Sequence, residues 1–226
     1  MKNTKMAWKG FKDVQATIEI DLNRSPDELW DSLDKDARWG VKKAEKEGLT
    51  ITNAANDLDW ESFYEIYKET IIHGGIVPQE LNSLKEKTSK LFLCHKDKET
   101  IAGAAITILD KRIKLFLNAS KKDYQKYQPN NLLYWHIIKY GAENNFEIFD
   151  LGGYQLNAQP EDKLYSINRF KERWGGKIVT YQVYNKNPVY IFGRKIIRNF
   201  PKIKSLRDKS KLKLWKIKNE KTISKA

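Results

Sequence analysis

Three strand-like runs, Leu91–His95, Ile101–Leu109 and Arg112–Ala119, follow one another along the chain, joined by Lys96-Asp97-Lys98-Glu99 and Asp110-Lys111. A parallel crossover needs about a dozen residues or more, so connections this short force neighbouring strands to run antiparallel, as a meander. Everything else must pack around that unit. Thr17-Ile18-Glu19-Ile20-Asp21-Leu22 alternates apolar and polar residues and reads as a half-buried strand. Ser25, Pro26 and Glu28 then form a helix start: a capping residue, proline at the first helical position and a capping-box acid. Trp30, Leu33, Ala37, Val41 and Ala44 step by three or four residues. Lys42, Lys43 and Lys46 suit the end of a helix dipole, and Gly48 stops it, which predicts one helix up to that glycine.

Further along, Leu49-Thr50-Ile51-Thr52 is a short strand, and the spacing of Trp60, Phe63, Tyr64, Tyr67 and Ile71 predicts a helix over 59–73 that stops at Gly74-Gly75. A short helix follows Pro78. Beyond the meander come a helix over 130–142, a strand over 146–151 ending in Gly152-Gly153, a helix over 163–174 and a strand over 177–184. The expected fold class is α/β of the mixed, α+β kind, with a mostly antiparallel sheet flanked by helices and no internal repeat. Residues 1–52 read as an N-terminal strand and helical arm, 53–193 as the main domain and 194–226 as a basic tail.

Composition narrows the function classes. Hydrophobic residues make up 40% of 226, enough for a packed core, which excludes a disordered chain. One cysteine excludes an internal disulfide and a multi-thiolate zinc site, and suits a reducing cytosol. The opening residues lack a signal-peptide core, and no uncharged apolar run reaches the roughly 18–20 residues of a spanning helix. The net charge of +13 is concentrated: residues 194–226 hold thirteen Lys and Arg against two acids, and the first 193 residues are nearly balanced. Leu212, Leu214, Trp215 and Ile217 lie among those lysines, as in an interfacial basic helix, and Pro201 divides the tail. A solvated tail, an anionic membrane surface and nucleic acid are all open readings of it.

His73, His95 and His136 are far apart, with no metal-ligand spacing, so no metal site is expected; Cys94 reads as a small buried hydrophobe. No Walker loop, dinucleotide fingerprint or nucleophile elbow occurs. The informative stretch is Arg112–Gly176. Its strand leads through the Tyr-rich basic loop Lys121–Gln128 to a helix start at Pro129-Asn130-Asn131, where amides can hold a phosphate or a developing oxyanion, or where Asn130 or Asn131 simply caps. Asp150 stands at a strand end backed by two glycines, placed to order a basic group or accept a proton.

Asp150-Leu151-Gly152-Gly153, Leu164-Tyr165 and Arg169-Phe170-Lys171-Glu172-Arg173-Trp174-Gly175-Gly176 together resemble the closing signature of the FemAB-type acyltransferases. These are peptidoglycan bridge-forming aminoacyltransferases within the Gcn5-related N-acyltransferase (GNAT) superfamily. Thr17–Leu22, Ser25–Leu29 and Arg38 through Gly48 resemble that family's linker into its second domain, and Pro129–Trp135 its helix after the central strands; the likeness covers roughly 12–184. The resemblance implies a GNAT-like domain and transfer of an aminoacyl or acyl group to a primary amine, with a cell-envelope precursor as acceptor. It also implies that Lys171 helps bind an anionic substrate, and that backbone amides near Asn118-Ala119-Ser120 stabilise the oxyanion. Asp150 and Lys171 are the expected catalytic residues, and Asn118, Ser120, Tyr124, Asn130, Phe170 and Lys171 the expected substrate-binding ones; Asp150 and Tyr124 are candidate bases.

Two departures from the family pattern shape the expectation. Family members carry two tandem GNAT-like domains, and this chain matches from the linker onward, so the first domain is expected to be absent and supplied by a partner, or not needed. The Gly-rich pyrophosphate loop of coenzyme-A-dependent members is not found, since Lys126–Asn131 stands in its place. Aminoacyl-tRNA is therefore favoured over acetyl-CoA as donor, with no bound cofactor. The expected setting is cytoplasmic, peripheral at the inner face of the membrane, with the tail on anionic lipid or tRNA. The alternatives are an acetyl-CoA-dependent N-acetyltransferase and a non-catalytic nucleic-acid- or membrane-binding module.

Overall fold

The computed structural model describes residues 11–185, 187–190, 192 and 208–217, and the side chains from Val14 onward. The elements run β1 (Phe11–Asp21), α1 (Pro26–Asp31), α2 (Lys35–Lys46), β2 (Thr50–Asn53), α3 (Asp57–His73), α4 (Leu81–Lys87), β3 (Lys90–Lys96), β4 (Glu99–Leu109) and β5 (Arg112–Ser120). A 3-10 helix (Lys122–Tyr127), α5 (Pro129–Glu143), β6 (Ile148–Tyr154), α6 (Lys163–Glu172) and β7 (Lys177–Asn185) complete the series. Seven strands form one sheet in the order β2-β3-β4-β5-β6-β1-β7. The β2–β3–β4–β5 and β6–β1 pairings are antiparallel and β5–β6 is parallel. The expected meander and the mixed, mostly antiparallel sheet are thus present. Residues 16–74 and 78–179 form one compact unit, which contains every group of the candidate site; the other described residues group separately.

Local chemistry explains most boundaries. The Ser25 side chain accepts from the Glu28 amide while the Glu28 carboxylate accepts from the Ser25 amide, with Pro26 at the first position. The single helix expected up to Gly48 is instead two. Asp34 starts α2 by accepting from the Asp36 amide, and its own N–H donates to the Arg173 carbonyl 2.9 Å away. A capping side chain within an apolar-periodic run starts a new helix once a distant carbonyl holds its backbone. Asn56 caps α3 two residues earlier than the periodicity predicted.

Two cores sandwich the sheet. Ile18, Ile20, Phe92, Phe149, Leu133, Ile137 and Trp174 lie in one, with α2 and α5; Phe63, Ile66, Leu84, Leu91 and Leu93 lie in the other, under α3 and α4. Cys94 is fully buried, as expected, and burial pushes its thiol up to about 12, which leaves it a hydrophobe. Gly175 has φ +70°, and a Cβ there would meet the Ser32 carbonyl at 2.7 Å. The Trp-Gly-Gly end of the signature is therefore the seam where the chain leaving α6 passes the end of α1.

The tail is described only over 208–217, which is helical; the expectation about Pro201 and the rest of 194–226 lies outside the described residues. Among the described residues no helix is long and apolar enough to cross a membrane.

Candidate active site

The sheet opens in its middle. β5 and β6 pair in parallel only over Arg112–Lys114 and Ile148–Asp150. Past that point β5 keeps its outer partner β4 as far as Ser120, and β6 keeps β1 as far as Tyr154. The inner edges of Leu115–Ser120 and Leu151–Tyr154 therefore diverge with no ladder between them, which leaves backbone polar groups facing a wedge. Both strands bulge there. Phe116 is an extra residue of β5 between the partners of Ala105 and Ile106, and Leu151 and Gly152 together oppose Ile18 of β1, one residue in excess. Gly152 takes φ +74°, a conformation that favours glycine. The expectation that Gly152-Gly153 ends the strand is thereby corrected: both lie inside β6, because β1 continues to pair with it.

Asp150 and Lys171 lie at the β6 side of the wedge, in a buried knot. The Thr17 hydroxyl lies against the Asp150 carboxylate and 2.9 Å from the Gly152 carbonyl. The Gly152 amide donates to Asp150 at 2.7 Å, and the half-exposed Lys114 ammonium stands 3.7 Å away. Lys171, 9% exposed, donates from Nζ to the carbonyls of Gly152 (3.1 Å) and Gly153 (2.9 Å). Burial lowers its pKa and Asp150 opposes that shift. Asn168 clamps the Gln155 backbone through both amide atoms, and Tyr154 donates to Glu172 at 2.7 Å. These ties fix α6 to the end of β6.

At the mouth of the wedge is a cleft of about 410 Å³. β5 contributes Asn118 and Ser120, and the start of α5 contributes Asn130. Asn130 accepts from Asn118 at 3.2 Å and donates to the Ser120 hydroxyl at 3.4 Å. Lys122 and Gln125 enter from the 3-10 helix, Lys163 and Ile167 from α6, and Glu69, Thr70 and His73 from α3. Lys163, Ile167 and Lys171 recur every four residues, so one face of α6 runs from the cleft to the knot.

The structure thus brings Asn118, Ser120 and Asn130 together and sets Asp150 and Lys171 beside them as a separate group. Tyr124 is elsewhere: its hydroxyl donates to Glu99, which also pairs with Lys121, and that hydrogen bond raises the phenol pKa. Phe170 packs edge-on against Tyr134 and Trp174 in the core. The capping expected of Asn130 or Asn131 is replaced by Gln128, in a left-handed conformation, followed by Pro129. Asn131 is buried instead, 3.5 Å from the Ala37 carbonyl. Glu69, Thr70, His73, Lys122, Gln125, Lys163 and Ile167 were not anticipated. The legible signal for Glu69 and His73 was that they fall off the Phe63–Tyr67–Ile71 apolar stripe of α3.

Comparison with known proteins agrees with this architecture. A family-wide profile described as an acetyltransferase (GNAT) domain matches residues 32–172. The lipid II:glycine glycyltransferase of Staphylococcus saprophyticus is 26% identical over 191 residues, covering 83% of this chain and 40% of that protein. That of Staphylococcus epidermidis is 24% identical over 130 residues, 56% of this chain and 31% of that protein. The chain therefore spans less than half the length of these relatives. The crystal structure of FemX superposes with a TM-score of 0.65 at 15% identity, over 77% of this chain and 63% of that one. L-PGS from Bacillus licheniformis superposes with a TM-score of 0.59 at 12% identity, over 84% and 65%. These two share the fold. The profile covers more than half of the sequence, and the chain belongs to the acetyltransferase (GNAT) domain family.

Proposed function

We propose that this protein is an N-acyltransferase of FemAB type, moving an aminoacyl group from aminoacyl-tRNA to a primary amine of a cell-envelope precursor such as lipid II. The observation that carries the reading is the cleft at the mouth of the wedge between β5 and β6, which Asn118, Ser120 and Asn130 enter. An acyl carbonyl held there has the unladdered inner edge of β5 at Asn118-Ala119-Ser120 to supply donors for its oxyanion, and Asn118 and Asn130 to orient it. A neutral amine attacks the carbonyl carbon, the C–N bond forms, and the C–O bond to the tRNA ribose breaks. The amine's proton leaves with the ribose oxygen, giving an amide and a free hydroxyl. Asp150 and Lys171 act as positioning residues that hold the β6 end and α6 around this space. Lys122 and Lys163 bring positive charge suited to an anionic donor or acceptor.

The setting proposed is the inner face of the membrane. Over 208–217 the tail helix carries Lys209, Lys211, Lys213 and Lys216, with Leu214 and Ile217 exposed. Each base near an anionic surface contributes about 1 kcal/mol. The test is transfer of labelled glycine from glycyl-tRNA to lipid II in vesicles containing phosphatidylglycerol, with labelled acetyl-CoA as the competing donor. Transfer of glycine is expected. Transfer of acetyl alone moves the protein to the coenzyme-A-dependent class, and transfer from neither donor overturns the reading.

A further inference from the structure

Acyl transfer to an amine poses a proton problem that the sequence signature leaves without an owner. The acceptor arrives as an ammonium ion, must become neutral to attack, and sheds a further proton as the C–N bond forms. Neither of the candidate bases, Asp150 and Tyr124, is placed for this. The Asp150 carboxylate accepts the Gly152 amide, lies against the Thr17 hydroxyl and faces Lys114, outside the cleft lining. Tyr124 directs its proton to Glu99. In the cleft itself, Asn118, Ser120, Asn130, Gln125 and Thr70 are not basic, and Lys122 and Lys163 carry positive charge.

Glu69 and His73 are left. They lie four residues apart on α3, so both side chains leave the same face of the helix, and both line the cleft that Asn118, Ser120 and Asn130 enter from β5 and α5. Both are solvent-exposed. Neither belongs to the α3 core residues Phe63, Ile66 and Tyr67, so packing does not account for them. A carboxylate one turn before an imidazole offers a site for a cation beside a nitrogen lone pair that can take up a proton.

Resting on the acyl-transfer reading above, we infer that α3 is the amine-receiving wall of the cleft: Glu69 attracts the acceptor ammonium, and His73 is the catalytic base for the attacking nitrogen. The ammonium first gives one proton to solvent. As nitrogen bonds to the acyl carbon, the imidazole takes the second, then passes it to the departing ribose oxygen as the C–O bond breaks. One ester and one amine become one amide and one alcohol, with His73 returned neutral. The charged groups facing His73 are Glu69 on its own helix, Lys122 on the 3-10 helix and Lys163 on α6. Glu69 therefore offers the cleft negative charge for an ammonium, and the two lysines offer positive charge for an anionic group of donor or acceptor.

The experiment uses the full-length protein, glycyl-tRNA or acetyl-CoA, whichever the wild type uses, and lipid II. His73→Gln is expected to lower kcat by roughly 10²-fold with KM for lipid II nearly unchanged. Millimolar imidazole is expected to restore a substantial part of the loss in His73→Ala. Glu69→Gln is expected to raise KM for lipid II by roughly tenfold with kcat little changed. His73→Gln turning over within threefold or so of wild type overturns the assignment, as does a His73→Ala defect that imidazole leaves untouched. An unaltered KM in Glu69→Gln removes the amine-receiving role. If the wild type transfers from neither donor, the acyl-transfer reading fails first and takes this inference with it. Wild-type transfer beside an unimpaired His73→Gln defeats the inference alone.

Discussion

The two polar groups beside the wedge are built on opposite terms. Around Asp150 and Lys171, buried donors and acceptors satisfy one another: two carbonyls on one ammonium, an amide and a hydroxyl on one carboxylate. Around Asn118 and Asn130 the polar groups are half-buried or exposed, and their mutual contacts are long, at 3.2 and 3.4 Å. A buried polar group must be paired or it costs stability, and pairing leaves it little capacity for a ligand. The first group therefore suits architecture and the second suits binding. The residues that carry the family signature fall mostly in the first.

The largest expected effect tests the knot. Lys171→Met leaves two carbonyls without their donor and is expected to cost about 3 kcal/mol in urea unfolding at neutral pH. A loss under about 1 kcal/mol would mean that the ammonium does not hold the strand end. The same pair of proteins has a pH signature. Burial lowers the folded pKa of Lys171 below its unfolded value, so the unfolded chain binds the proton more tightly. Wild type should then gain stability relative to Lys171→Met as pH rises through the folded pKa towards about 10.4, and the gain should stop there. A difference that is flat or shrinks with pH contradicts the assigned burial.

Asn118→Ala tests the other side. Transfer is expected to fall roughly tenfold, about 1.4 kcal/mol of barrier, while the unfolding midpoint barely moves. Should stability drop as far as activity, the contrast between the two groups breaks down. Lys114→Ala is the smallest effect. Its side chain is 55% exposed and 3.7 Å from Asp150, so a loss below about 0.5 kcal/mol is expected.

What could be read in advance followed from short-range physics. The meander came from connection length, and the first helix from Ser25, Pro26 and Glu28. The α3 helix came from apolar spacing, and the burial of Cys94 from its place in a strand run. Two of the misread boundaries depend on a partner far along the chain. Asp34 divides a helix because the Arg173 carbonyl holds its N–H, and Gly152-Gly153 continue a strand because β1 pairs with them. At the site, Asn118, Ser120 and Asn130 were legible because they flank one loop and are close in sequence. Glu69 and His73 were not, since a helix some 50 residues earlier meets that loop only through the shared core.

The sequence by itself determined the element types, the antiparallel centre, the concentration of charge in 194–226 and the family signature, all of which depend on neighbours within a few turns or on spacing. Tertiary structure alone decided where β5 and β6 part and which polar groups that parting leaves open. It also buried Lys171 against two carbonyls and brought α3 to the cleft. Strand divergence and side-chain burial depend on which surfaces meet, and no local pattern of residues encodes that meeting.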